Sequence, residues 1–193
     1  MNLLRHIFSF GSMTLISRIL GFARDVVLAR WFGAGLAMDA FVVAFKIPNF
    51  LRRLFAEGSF SLAFVPVLNE YKEQGDHAAL RELIDAVTGA LLAVLLVITA
   101  LGVGGAGWII SIFAPGFLDQ PQQWALATGL LRITFPYLLF IALTALAGGI
   151  LNTLGRFAIP ALTPALLNLS LITAAVVLSP YFDEPIKALA WGV

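Results

Sequence analysis

Cysteine is absent from the 193 residues, which removes disulfides, thiolate metal sites and cysteine nucleophiles. Histidine occurs twice, at His6 and His77, too rarely for a histidine-rich metal site and at neither place inside a span where it would act as a base. Charge is scarce as well. Only 12% of residues are charged, against about 25% in soluble domains. The 12 Lys and Arg nearly balance the 11 Asp and Glu, for a net charge of +1, so there is no basic field for nucleic acid, nor the interleaved aromatic and basic residues that bind it. No HExxH, GxSxG or phosphate-cradling GxxxxGK[ST] occurs, and no catalytic or metal-binding set emerges. What fills the chain is apolar: 60% of residues and a mean hydropathy of +0.94. Such a chain cannot cover its surface with polar groups in water, and the solvent it demands is lipid.

The expected fold is therefore an all-α integral membrane protein, a polytopic helical bundle. A spanning helix takes about 20 apolar residues. Uncharged length and turn residues predict spans at roughly 7–32, 37–68, 86–114, 124–151 and 158–179, with a sixth begun at 187 and cut short by the end of the chain. The first is read as a retained span and not a cleaved leader, because Arg18 and Arg24 follow its apolar run without a small-residue cleavage pattern. The second contains Pro48, Gly58 and Pro66 and should be tilted or kinked. Residues 69–83, the most polar stretch, are expected as a cytoplasmic loop whose later part suits a short surface helix. Loops on the N-terminal side carry Arg5, Lys72, Arg81 and Arg156, against Arg30 and Lys187 opposite, which places the N-terminus in the cytoplasm.

The scarce charge is concentrated. Residues 18–57 hold six bases (Arg18, Arg24, Arg30, Lys46, Arg52, Arg53) and three acids (Asp25, Asp39, Glu57), whereas 86–155 hold only Asp119 and Arg132. Each arginine at a bilayer centre costs about 2.5 to 3.5 kcal/mol, so four facing lipid would cost roughly as much as a whole domain's stability. They must face water, partners or a ligand. On an ideal helix Asp25 follows Arg18 on one face, and Asp39, Lys46, Asn49, Arg53 and Glu57 form one stripe with Arg52 turned about 100° away. Arg53 and Glu57 are spaced to neutralise each other, or to serve a site. Arg24, beside Asp25, is not spaced to pair along the helix face, which leaves Arg24 and Arg52 as the expected free cations.

Other polar residues carry plainer readings. Arg5, Arg30, Arg156 and Lys187 sit at helix ends and snorkel. Arg132 either snorkels or lines a cavity. Glycines 102–107 and 147–149 suit close helix packing, while Asn152, Asn168 and Ser170 are read as interhelical hydrogen bonds or as the polar lining of a path. Guanidinium groups in a wet intramembrane pocket suit an anion, phosphate above all, because the planar fork offers paired charge-assisted hydrogen bonds. Transport or binding therefore outranks catalysis.

The stretch "MTLISRILGFARDVVLARWFGAGLAMDAFVVAFKIPNFLRRLFAEGSFSLAFVPVLNEY", residues 13–71, resembles the start of the MurJ (MviN) family of bacterial lipid II flippases, within the multidrug/oligosaccharidyl-lipid/polysaccharide exporter superfamily. The later "APGF", "ITFPYLLF", "ILNTLGRFAIPALTPALLN" and "ALAW" follow the same pattern. The resemblance implies the first lobe of a two-lobed, fourteen-helix transporter in the bacterial inner membrane, with both termini cytoplasmic. It would move lipid II, the undecaprenyl-diphosphate-linked peptidoglycan precursor, to the outer leaflet by alternating access. It implies substrate-binding roles for Arg18, Arg24, Arg52 and Arg53, cavity or gate roles for Asp25, Asp39 and Glu57, no cofactor, dependence on membrane potential, and a C-terminal lobe that supplies a further arginine. Two alternatives are an exporter of another polyprenyl-linked sugar or drug, against which the surplus of bases over acids argues, and a non-transporting membrane scaffold.

Overall fold

The structure, a computed structural model, describes the backbone of residues 2–53, 59–155 and 158–193, and side chains within 15–53, 64–155, 160 and 163–193. Among the described residues nine α-helices follow one another and no strand occurs. Helix α1 (Asn2–Phe32) has 31 residues, about 46 Å at the α-helical rise. It ends where Gly33 takes φ 62°, a left-handed backbone that closes the helix and costs glycine little, and its N–H donates to Ala29 O at 3.1 Å. Helix α2 (Leu36–Arg52) starts after an extended Gly35.

Pro48 lies inside α2. A proline there has no N–H for the carbonyl four residues back and pushes the helix off that oxygen. The deprived carbonyl is that of Ala44, and Thr134 Oγ1, fully buried, donates to it at 3.2 Å. The carbonyl that Pro48 frees is thus satisfied by a hydroxyl from another helix.

Of the predicted second span the structure describes α2 and α3 (Ser59–Glu73); Glu57 and the rest of 54–58 lie outside the described residues. The polar stretch 69–83 turns only at 74–76. Helix α3 runs into it as far as Glu73, and its later part is helical as expected, as the start of α4 (His77–Gly104). The reason is capping: Asp76 Oδ1 accepts from the N–H groups of Ala78 and Ala79 at 2.9 and 3.0 Å, so helix begins well before the apolar run does.

The third apolar segment divides at Gly105 into α4 and α5 (Ala106–Phe113). The fourth divides at Phe135 and Pro136 into α6 (Pro121–Thr134) and α7 (Tyr137–Thr153). Helix α8 (Ala158–Thr173) continues as a π-helical turn, Ala174–Leu178, before α9 (Ile186–Trp191). Among the described residues, His77–Gly104, Pro121–Thr153 and Thr163–Tyr181 are long and apolar enough to cross a membrane. The other expected spans, α1 and α2 with α3, are the ones that hold the charge cluster.

The core is apolar and centres on α2, α6 and α7, around Ala40, Ala44, Leu130, Leu131 and Leu138. The outer faces stay apolar too: Phe22, Leu101, Trp108 and Ile112 are all well over half exposed, as expected where the surrounding solvent is hydrocarbon. Helix α1 lies along α8, α2 along α6, and α7 stands between α3, α4 and α8. That arrangement leaves a space bounded by α1, α2, α3, α7 and α8.

Candidate functional site

This space is a cavity of about 810 Å³, within the roughly 300 to 1,000 Å³ of ligand sites. Its walls follow helical periodicity. Phe45, Asn49 and Arg52 come from one face of α2, Val65 and Asn69 from α3, and Tyr137, Ile141, Thr144, Gly148 and Asn152 from α7, each successive residue three or four along. Helix α1 contributes Arg24, and α8 contributes Pro160, Thr163, Pro164 and Leu167. Among the described residues the wall therefore carries two guanidinium groups, amides and hydroxyls, and no carboxylate.

Both arginines are held. Arg24 Nε and Nη2 donate to Asp25 Oδ1 at 3.0 and 2.7 Å, and Nη1 donates to Asn168 Oδ1 at 2.9 Å. This corrects the expectation that Arg24 is a free cation. The helical angle between adjacent residues keeps their Cβ atoms apart, but the long arginine stem folds back along the helix surface to reach its neighbour. The Arg24 side chain is 26% exposed and that of Asp25 65%, so the carboxylate grips one edge of the guanidinium from outside the cavity. Arg52 is likewise engaged, its Nε donating to Asn49 Oδ1 at 3.0 Å. That neutral amide orients Arg52 on the cavity side.

The remaining predicted residues are not gathered here. Arg18 and Arg53 are exposed and absent from the cavity wall. Of the predicted stripe Asn49 reaches the wall, whereas Asp39, Lys46 and Arg53 are exposed and off it; α2 faces the cavity with Phe45, Asn49 and Arg52. Asp39 sits exposed in the first turn of α2, where a carboxylate favours the positive end of the helix, about 20 Å along the helix from Arg52 by its rise. Glu57 lies outside the described residues. Arg132 is exposed and off the wall, whereas Asn152 is on it. Asn168 proves to be an interhelical bond that ends on a cavity arginine, and Ser170 Oγ donates to Gly192 O at 2.7 Å.

Sequence reading missed Asn69, Tyr137 and the threonines. Thr144 and Thr153 donate to carbonyls four residues back in their own helix, a habit that hides them in an apolar pattern. Lys72 was read only as loop charge. Its Nζ donates to Thr153 O at 2.6 Å, tying the end of α3 to the end of α7 beside the cavity, where a cation meets unpaired helix carbonyls.

Residues 28–193 match the family described as lipid II flippase MurJ. All of the chain aligns at 48% identity with 37% of the lipid II flippase MurJ of Burkholderia cenocepacia. In Vibrio cholerae, a probable lipid II flippase MurJ is 50% identical over 95% of the chain and 36% of its own length. A solved lipid II flippase MurJ in an inward closed conformation superposes with a TM-score of 0.79 at 33% identity, over 95% of this chain and 38% of that one. The chain thus spans little more than a third of the relatives it matches.

Proposed function

Because this chain belongs to the lipid II flippase MurJ family, we propose that it forms the arginine-bearing half of a cavity that carries lipid II across the bacterial inner membrane. The carrying observation is the composition of the wall: Arg24 and Arg52 face an 810 Å³ space whose other described lining residues include amides and hydroxyls and no carboxylate. The lipid-linked diphosphate sits between the two guanidinium groups, whose planar forks match phosphate oxygens in pairs. The sugar and peptide take the amide and hydroxyl wall, and the polyprenyl tail stays in the bilayer. No bond is made or broken, so the protein is a transporter and not an enzyme.

The N-terminus is cytoplasmic, by the excess of Lys and Arg in the loops on that side. With the inside negative, outward movement of each negative charge gains about 2.3 kcal/mol per 100 mV, so transport responds to membrane potential. The rest of the transporter supplies the facing wall, and rocking of the two halves exposes the site to each side in turn.

A second reading, a membrane scaffold, draws on one observation: Arg24 is already paired with Asp25. Binding separates the two. In the complete protein, lipid II is compared with a tail-matched lipid lacking the diphosphate head, in the native form and in Arg24→Ala and Arg52→Ala. The expected result is head-dependent binding weakened about tenfold or more by each substitution, the size of a lost charge-assisted contact. Equal binding of both lipids by all forms would leave the scaffold.

A further inference from the structure

We propose that Asn168 is a positioning residue of the anion site, fixing the guanidinium of Arg24 in place without neutralising it. This inference rests on the proposed function, since it concerns the same cavity. Asn168 comes from α8, is only 6% exposed, and touches α1 at two points: its Oδ1 accepts from Arg24 Nη1 at 2.9 Å and its Nδ2 donates to Ser17 O at 3.2 Å. A guanidinium has no acceptor, so the amide oxygen must face Arg24, and the amide nitrogen is then left to find an oxygen. The Ser17 carbonyl provides it about two turns along the same helix face.

Between those two points stands Gly21, where a Cβ would lie 3.4 Å from Asn168 Nδ2. The bare turn of α1 therefore seats an amide of this length, with little room to spare.

The chemistry at 168 is restrictive. Aspartate offers an acceptor to Arg24 but no donor to Ser17, and its charge would oppose the substrate's. Leucine fills the space and offers neither. A short amide meets a guanidinium and a carbonyl at once, from two separate atoms, while staying neutral. Asp25 grips Nε and Nη2 from the exposed side and Asn168 grips Nη1 from the buried side, so the plane of the guanidinium is set from two edges. Each terminal nitrogen keeps a second hydrogen that none of these contacts uses, and a group fixed in this way gives up little rotamer freedom when a phosphate arrives.

The test is a double-mutant cycle in the complete protein, with binding of lipid II against the headless, tail-matched lipid as readout. Asn168→Leu keeps the packing volume and removes both hydrogen bonds; Asn168→Ala is the second variant should leucine not fold. The expected result is head-dependent binding weakened about threefold to tenfold when Arg24 is present, and no further loss when Asn168→Leu is added to Arg24→Ala. An equal loss in both backgrounds, or no loss in either, would overturn the proposal, because a residue that only packs α1 against α8 acts without regard to Arg24. If the native protein shows no head-dependent binding, the proposed function falls, and the bracket is judged on unfolding temperature. The shift caused by Arg24→Ala should then be smaller in the Asn168→Leu background, and equal shifts would overturn it.

Discussion

Two glycine-rich stretches of the same appearance do opposite things. In 102–107 the missing side chains of Gly102 and Gly107 are replaced by rings from outside the helix. The Phe135 ring occupies the place where a Gly102 Cβ would stand, and Trp124 lies 3.0 Å from that of Gly107. In 147–149 more space stays open among the described residues: the nearest of their atoms to a Cβ on Gly148 is Pro160 Cβ at 3.5 Å, and to one on Gly149 it is Val65 Cγ2 at 3.9 Å. Both of these glycines line the cavity. Glycine lets a helix be approached; what stands opposite decides whether the approach becomes a close-packed seam or a vacancy. An aromatic neighbour closes it, and proline with valine leaves it for a ligand.

Substitutions at the two stretches should therefore diverge. Gly102→Leu drives a side chain into the Phe135 ring, and overpacking of this severity should cost about 3 kcal/mol or more, read as loss of the folded protein or a large drop in unfolding temperature. Thr134→Val probes what the packed side contributes to the open one, because it strips the donor from the Ala44 carbonyl. A loss of about 1 to 3 kcal/mol in denaturant or thermal unfolding is expected. Gly149→Leu should leave unfolding nearly unchanged and still weaken lipid II binding about tenfold, roughly 1.4 kcal/mol, by filling the vacancy. Gly148→Ala should be the mildest, with a Cβ at ordinary contact distance, stability altered by less than about 1 kcal/mol, and binding nearly native. Full tolerance of Gly102→Leu would erase the contrast between seam and vacancy.

The helical class was legible because apolar length is a one-dimensional quantity, and the cost of charge in lipid pointed to the charged segment from which Arg24 and Arg52 come to line the cavity. What periodicity could not supply was the partner of each group. The stripe through Asp39 and Arg53 is a true helical face, but which face turns inward depends on α6 and α7, far away in sequence. Asp25 was set apart from Arg24 because helix geometry separates adjacent Cβ atoms, and the reach of the arginine stem undoes that separation. Thr134 carried no signal at all. Its role exists only because Pro48 releases a carbonyl on another helix. The polar stretch 69–83 looked like a loop because polarity was weighed above the Asp76 cap.

The hydroxyl of Thr134 also bears on how the molecule can move. A proline bend whose freed carbonyl has lost its partner is a soft joint, since nothing is surrendered when the angle changes. Here the joint is braced: moving α2 at Pro48 pulls Ala44 O from Thr134 Oγ1 and strands that carbonyl in an apolar interior. The joint is held, so the two segments of α2 travel as one. Any swing of α2 against α1 then falls to the short link at Gly33 to Gly35, where α2 begins without a side-chain cap and the backbone is free to turn.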